Sequence, residues 1–421
     1  MSLPAVNEGM TRGFWREVRA TTQRFENYAA GAIAQTFTGE HEFRFETAFN
    51  QKVHLNKSFF MGTDTLAAGD AQSVPSATCA AARPWNHIAA WFNQMQIDIH
   101  GTNVENIVNV AELDSYAKRQ KYNEDYFNRF GECMNLKFAG TTLAAADGFA
   151  ARVTRDRAAN ATQSYLWRPD CSAVFDQVLP QNLTFSVKLR VSADIRKRAV
   201  QSSRGASDVG TGADDYRYCV QNLVLYLWIT EEEIAPAKKD VLFDLRPIEP
   251  VRVLWTGGAN QTQNYVGIPP TTYQIGLALC AGDRDTNIVY SPTDFKSVNN
   301  KQQFTSYRLR YASTDYPQYQ ITETQTSHRF RSFIQSMTDL EKNEVMDAGE
   351  SYTFYVDRGE IYNFDIVKRA DDRSTTAELQ LTSPAAFTGE DVFLFCKHVK
   401  DLIITYNELG NPIAVTCQIP A

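Results

Sequence analysis

Histidine is scarce, with six in 421 residues: His41, His54, His87, His100, His328 and His398. None lies in a His-Glu-x-x-His pair, and the chain carries no Gly-x-Ser-x-Gly elbow and no Walker phosphate loop. Zinc-hydrolase, serine-hydrolase and nucleoside-triphosphatase chemistries thereby lose their usual motifs. The seven cysteines (Cys79, Cys133, Cys171, Cys219, Cys280, Cys396, Cys417) are odd in number, scattered, and form no Cys-x-x-Cys pair. A disulfide framework or structural zinc ribbon is not indicated, and a reducing compartment at synthesis is expected. Cys219, Cys280 and Cys396 lie in or beside apolar runs, where a thiol acts as a small hydrophobe. No run approaches eighteen apolar residues, so no transmembrane helix is expected. Trp15, Arg16, Glu17 and Arg19 interrupt any signal-peptide core. No basic block is present either. Residues 1–30 hold four Arg against Glu8, Glu17 and Glu26, and the net charge is −7. Strong direct nucleic-acid binding through counterion release is not expected.

What the chain has in quantity is aromatic residues, 12% of the total. Flat rings pack well on a pleated surface, which favours strands. The length exceeds one ordinary core, so two domains are expected.

Residues 9–33 predict an amphipathic helical segment, with Phe14, Trp15, Val18, Phe25 and Tyr28 at helical spacing and Arg12, Arg16, Arg19 and Arg24 between them. Such a segment packs on its own domain or a neighbouring subunit, or lies at a membrane or internal partner. Period-two alternation then predicts strands at His41–Glu46, Gln94–His100 and Thr184–Val191, with Phe43, Phe45, Met95, Ile97 and Ile99 inward. Leu223–Ile229 is apolar on both faces and reads as a central covered strand. A helical stretch is predicted at about 103–130, and a long polar loop at 196–217.

The second half repeats this order. Val251–Trp255, Tyr273–Cys280, Phe304–Tyr311 and Tyr319–Thr324 read as strands. A helix follows, with Phe330, Phe333, Ile334, Met337 and Leu340 on one face. Tyr352–Val356, Tyr362–Ile366, Ala377–Leu381, Asp391–His398, Leu402–Tyr406 and Ile413–Cys417 read as strands to the end. Strand, then helix, then strands occurs twice, so a β-rich half ends at Leu223–Ile229 and again near the C-terminus. About eight short strands per half with one inserted helix predict two tandem jelly-roll β-sandwiches.

Each chemical candidate has a simpler structural reading. Asp98 and His100 could ligate a metal from one strand face, but no third ligand is near, and a solvated polar face explains them. Gly210-Thr-Gly212 is too short for a dinucleotide fingerprint. Asp214-Asp215 and Asp371-Asp372 could serve as paired glycosidase acids, yet sit in turn-like segments beside arginines. Arg196-Lys-Arg198 could meet phosphate. Asn160 and Asn182 begin sequons. The six tryptophans, Trp15, Trp85, Trp91, Trp167, Trp228 and Trp255, are dispersed along the chain and mark no sugar platform. No catalytic, cofactor-binding or metal-binding residue is assigned.

Three segments carry a resemblance: Gln94–Gly101 running into a Tyr-rich helix, Gln221–Trp228, and the pair Val392–Cys396 with Leu402–Tyr406. Together they resemble the double jelly-roll major capsid proteins of tailless icosahedral DNA viruses, the group spanning adenoviruses, virophages and polinton-like viruses. The resemblance implies an N-terminal helical arm over 1–34, a first jelly roll over 35–235 and a second over 236–421. It implies a non-enzymatic homotrimer forming a pseudo-hexagonal tile, with penton or minor capsid proteins as further partners. The loops at 196–217 and 256–270 would carry decoration, and residues 9–33 would supply any contact with an internal membrane. The chain would be made in the host cytoplasm or nucleus and end in the virion. The alternatives are a single jelly-roll capsid protein with a projection domain, and a carbohydrate-binding or glycosidase β-sandwich.

Overall fold

A computed structural model of the protein describes residues 12–21, 39–68, 82–84, 88–122, 162–192, 198, 200–202, 216–231, 239–253, 264–281, 295, 306–322, 326–338, 355, 361–366, 374–382 and 390–420. The first half contains β1 (Arg12–Arg19), β2 (Glu40–Glu46), β3 (Gln51–Ala68), β4 (Ala82–Pro84), β5 (Phe92–Ile99), β6 (Thr102–Val108) and helix α1 (Val110–Lys121). It continues with β7 (Thr162–Trp167), β8 (Val178–Leu179), β9 (Thr184–Val191), β10 (Val200–Ser202) and β11 (Tyr216–Glu231). The second half contains β12 (Lys239–Leu245), β13 (Ile248–Val253), β14 (Asn264–Gly267), β15 (Gln274–Ala281), β16 (Ser306–Tyr311), β17 (Thr314–Thr322) and helix α2 (Thr326–Thr338). It ends with β18 (Ile361–Asp365), β19 (Thr376–Thr382), β20 (Glu390–Lys397), β21 (Lys400–Tyr406) and β22 (Pro412–Gln418).

Strand pairing makes the two halves equivalent. The first half forms sheets ordered β1-β11-β3-β7 and β2-β9-β5-β6; the second forms β13-β20-β15-β18 and β14-β19-β16-β17. Taken in sequence order, each set of eight strands occupies the same eight places, which is the jelly-roll crossing pattern. Every pairing is antiparallel. The hairpins joining β5 to β6 and β16 to β17 both turn through two residues of positive φ, His100 (48°) and Gly101 (81°) in one, Ala312 (48°) and Ser313 (66°) in the other. Such turns match the twist of the flanking strands. A helix follows each hairpin, α1 after β6 and α2 after β17.

Burial follows the expected alternation. Phe43, Phe45, Met95, Ile97, Ile99, Phe185, Val187 and Leu189 are all buried in the first roll. Leu223, Leu225, Leu227 and Ile229 of β11 join them, and β11 lies between β1 and β3 as a central strand.

Five expectations are corrected, the last of them at the C-terminus. Residues 12–19 of the expected N-terminal helix form an edge strand, paired residue for residue with β11 from Arg12↔Glu231 to Arg19↔Val224. Helical spacing put Phe14 and Val18 on one side, but period-two spacing does so as well. Pairing satisfies the edge of an apolar strand that would otherwise lie open. The first roll therefore begins before residue 35, and no surface-lying helix forms over 12–19. Residues 102–108 of the stretch expected as helix form β6, folded back on β5, and the helix itself runs from Val110 to Lys121. Residues 264–267 of the expected decorating loop form β14, and in the other expected loop residues 200–202 form β10, paired with β4, and residues 216–217 lie in β11.

The last two strands are not part of the second roll. That roll is completed by β20, which sits between β13 and β15. Strands β21 and β22 join β12 in a separate three-stranded sheet. It is fastened to the first roll: Tyr406 Oη donates to Gln181 O (2.9 Å), Asn182 Nδ2 to Asn411 Oδ1 (2.8 Å) and Thr102 Oγ1 to Val415 O (3.2 Å).

Candidate functional site

The two β-sandwiches meet through helix α1. Strand β20 alternates two sets of apolar residues: Val392, Leu394 and Cys396 fill the second roll's interior, while Phe393 and Phe395 point outward into packing shared with the first roll. Tyr116 of α1 stacks on Phe395 at 4.4 Å between ring centroids and 15° between planes. Beneath it lies Gly276 of β15, where a Cβ would sit 2.4 Å from the Tyr116 ring. Lys397 Nζ donates to Gln120 Oε1 at 3.2 Å. The Arg119 guanidinium stands over Phe295 (5.6 Å) and over Phe333 of α2 (5.8 Å). Covered on both sides, α1 is buried from Val110 through Arg119.

That burial takes in charge, and each charge is answered. Lys118 Nζ sits 2.9 Å from Asp114 Oδ2 and 2.7 Å from Asp170 Oδ2, with all three side chains withdrawn from water. Burial opposes the Lys118 ammonium, but the two carboxylates outweigh it and hold its pKa above the ordinary lysine range. Burial also opposes the Asp170 carboxylate; Lys118, Arg168 and Lys121 overcome this and hold its pKa low. Asp114 is raised by burial and by facing Asp170, while accepting from Trp167 Nε1 (3.2 Å) and the Cys171 amide (3.2 Å). Buried Glu105 accepts from Ser172 Oγ and from the Ala173 amide at 2.9 Å. Buried Arg198 pairs with Glu112 at 3.1 Å. Withdrawn from water and paired with one another, these side chains fasten α1 and the 168–176 segment to the first roll.

The outer face of the first roll's β1-β11-β3-β7 sheet is the counterpart of the face that α1 covers on the second. Here Tyr226 and Trp228 take the outward positions held by Phe393 and Phe395. Trp15 packs against Trp228 (4.9 Å) and Phe59 (5.3 Å), and Phe59 stacks on Tyr226 (5.4 Å). Phe59, Tyr226 and Trp228 are half-buried, and Trp15 is 48% exposed. The Tyr226 hydroxyl donates to Glu17 Oε1 at 3.1 Å. Sequence reasoning missed this cluster because Trp15 and Trp228, paired across β1 and β11, lie far apart in the sequence. The parity of Tyr226 and Trp228 within an otherwise inward-facing run was the available signal.

The sequence-predicted candidates are placed as follows. Asp98 is held by Lys188 (2.8 Å), Gln96 (2.9 Å) and Asn103 (2.9 Å), and His100 occupies the adjoining turn, exposed. Among the described residues no group of three His, Cys, Asp or Glu is placed to hold a metal. Arg198 is consumed by Glu112. Asn182 donates its amide to Asn411 and Gly410. Trp91 and Trp167 are fully buried. Trp85, Trp255, Asn160, Arg196, Lys197, Gly210–Gly212, Asp214-Asp215 and Asp371-Asp372 lie outside the described residues. Among the described residues no helix is long and apolar enough to cross a membrane.

No protein-family model and no curated protein matches the chain by sequence. Solved structures do match by shape. A chain of the Sputnik virophage structure superposes with a TM-score of 0.61 at 12% identity, covering 100% of this chain and 90% of that one. The mavirus major capsid protein superposes with 0.54 at 10% identity, covering 99% and 92%. The PBCV-1 protein VP54 gives 0.54 at 11%, covering 98% and 99%. The fold is the double jelly roll of viral major capsid proteins. Full-length coverage on both sides means that both jelly rolls take part in the match, as the strand orders require.

Proposed function

We propose that this chain is a viral major capsid protein, a structural subunit that trimerises into pseudo-hexagonal capsomers and assembles an icosahedral shell. The observation that carries the reading is the duplication itself. Two jelly rolls of identical strand order are locked side by side by α1, and the whole unit superposes end to end on capsid subunits. A rigid two-roll block suits a tile whose six rolls come from three chains, since repeated contacts between copies build closed symmetric assemblies. The second half's own eight strands remove the reading of one roll with a projection domain.

The chain's role is structural rather than enzymatic: its buried carboxylates and lysine are spent on each other. Penton or minor capsid proteins complete the list of partners, the mature location is the virion, and synthesis takes place in the host cytoplasm or nucleus.

Size-exclusion chromatography with light scattering tests the proposal, with negative-stain microscopy alongside. The expected result is a particle of three times 47.5 kDa, or larger assemblies with hexagonal outlines. A stable monomer that binds immobilised glycan would sink the capsid reading and favour the carbohydrate-binding one.

A further inference from the structure

Helix α1 carries into the joint a group whose chemistry goes further than charge pairing. Lys118 Nζ has three partners: Asp114 Oδ2 at 2.9 Å, Asp170 Oδ2 at 2.7 Å and the Arg168 carbonyl at 2.7 Å. Only 2% of the lysine side chain is exposed, and none of either carboxylate. An amine held against a carboxyl group is a nucleophile beside an electrophile, and without water their condensation is not reversed by hydrolysis. The other oxygen of Asp170 is equally well supplied. Oδ1 accepts from Tyr122 Oη at 2.9 Å and lies 3.4 Å from Lys121 Nζ and 3.7 Å from Arg168 Nε. These three groups surround the oxygen on which negative charge collects when the carboxyl carbon is attacked. Asp114 is fixed from behind, accepting from Trp167 Nε1 and from the Cys171 amide, both at 3.2 Å.

We propose that Lys118 and Asp170 join in an intramolecular amide bond, formed by the folded chain itself with Asp114 as proton carrier. At rest the proton sits on Lys118, which the two carboxylates hold ionised. Asp114, raised by burial and by facing Asp170, is the carboxylate placed to take it. Passing it on to Asp170 Oδ2 leaves a neutral amine beside a neutral acid, with no charge left to solvate. Nζ then attacks Cγ of Asp170, and the N–C bond forms as the carbonyl electrons move onto Oδ1. The nitrogen gives a second proton to Asp114, which delivers it to Oδ2. The C–Oδ2 bond breaks and water leaves. One hydrogen stays on the amide nitrogen, Asp114 is a carboxylate again, and no oxidant or cofactor takes part. The bond ties α1, which holds the two rolls together, to the segment after β7, 52 residues further along the chain. A covalent loop of this kind restricts the unfolded chain as a disulfide does, without needing an oxidising compartment. The inference does not use the capsid reading, and the two can fail separately.

The decisive measurement needs no variant. The full chain is incubated folded, then denatured and weighed by intact mass spectrometry; the expected mass is one water below that of the sequence. A tryptic digest should lack cleavage after Lys118 and contain a branched peptide whose fragments place the link between Lys118 and Asp170. A chain that keeps its full sequence mass overturns the proposal. So does a water lost elsewhere, as at a succinimide, or a link from Lys118 to Asp114. Lys118→Arg keeps a cation between the carboxylates but removes the amine, and should return the mass to its sequence value. Asp114→Asn keeps the shape and removes the proton carrier. It should leave most chains unlinked while near-ultraviolet circular dichroism matches wild type, and linkage at the wild-type rate overturns the role of Asp114. Light scattering on the same samples separates the two readings: a linked monomer overturns the capsid reading alone, and an unlinked trimer overturns the amide bond alone.

Discussion

Tyr116 lies flat on Phe395, one ring from the first jelly roll and one from the second, 4.4 Å apart and within 15° of parallel. The stack is possible because Gly276 presents no side chain beneath it. An alanine Cβ there would stand 2.4–2.6 Å from three atoms of the Tyr116 side chain, two of the ring and the hydroxyl oxygen. Offset or stacked aromatic pairs add to simple area burial, so the joint between the rolls depends on a ring and a hydrogen atom in contact.

Tyr116→Ala should therefore destabilise the chain by about 3–5 kcal/mol, the usual cost of emptying a large buried aromatic position. Gly276→Val should be comparably harmful through clash. Tyr116→Phe should cost far less, since the hydroxyl's bond to Asn363 Oδ1 is long, at 3.4 Å. Urea unfolding followed by tryptophan fluorescence ranks the three, and a Tyr116→Phe variant as unstable as Tyr116→Ala would contradict the stacking account.

Lys118→Met should be severe. It leaves Asp114 and Asp170 facing each other in a site withdrawn from water, and breaking a buried pair by removing one partner costs about 3–5 kcal/mol. Replacing all three, with Asp114→Asn and Asp170→Asn added, should recover part of the loss. If the triple variant is no more stable than Lys118→Met alone, like-charge burial is not the source of the effect.

His41 supplies a pH dependence. Burial lowers its pKa from 6.5 to about 4, because the charged ring is poorly solvated inside the roll. Between those values the unfolded chain binds a proton that the folded chain does not. Its contribution is fully present above pH 6.5 and declines as pH falls toward 4, by about 3 kcal/mol in all. Urea midpoints at pH 7.5 and pH 4.5 should differ less in His41→Phe than in wild type. An unchanged difference would assign the acid sensitivity to other groups.

Asp98→Asn should do little. Asp98 and Lys188 sit on a partly solvated sheet face, with 13% and 28% of the side chains exposed, and pairs of this kind contribute about 0.2–1 kcal/mol. A chelator should likewise leave the melting temperature unchanged. A melting point that falls on chelation would return Asp98 and His100 to consideration as ligands.

Much of the fold was legible before any coordinates. Alternation at Phe43/Phe45, at Met95/Ile97/Ile99 and at Phe185/Val187/Leu189 gave strands with the correct face inward, because a side-chain period of two admits one orientation toward a core. The helix carrying Phe330, Phe333 and Ile334 was found from its 3.6-residue spacing. Failures came where one spacing served two structures. Phe14, Trp15 and Val18 satisfy a helix as an isolated segment, and only the open edge of β11 makes them a strand. Thr102–Val108 looked continuous with the helix behind it until the His100-Gly101 turn folded it back on β5.

Sequence by itself determined that this is a β-rich chain of two like halves, each with one helix inserted after a strand, and without the usual catalytic motifs. Those properties are local: periodicity, turn chemistry and residue type act within a few positions. Tertiary structure alone decided that the second repeat ends at β20, and that the terminal pair β21 and β22 leaves the second roll to join β12. It also decided that Trp15 meets Trp228, that Lys118 is answered by Asp170, and that one outer face is covered while its twin is open. The physical reason is that these are contacts between strands far apart in the chain. Their partners are chosen by which edges and faces remain unsatisfied once the sheets have formed, and no local pattern records that.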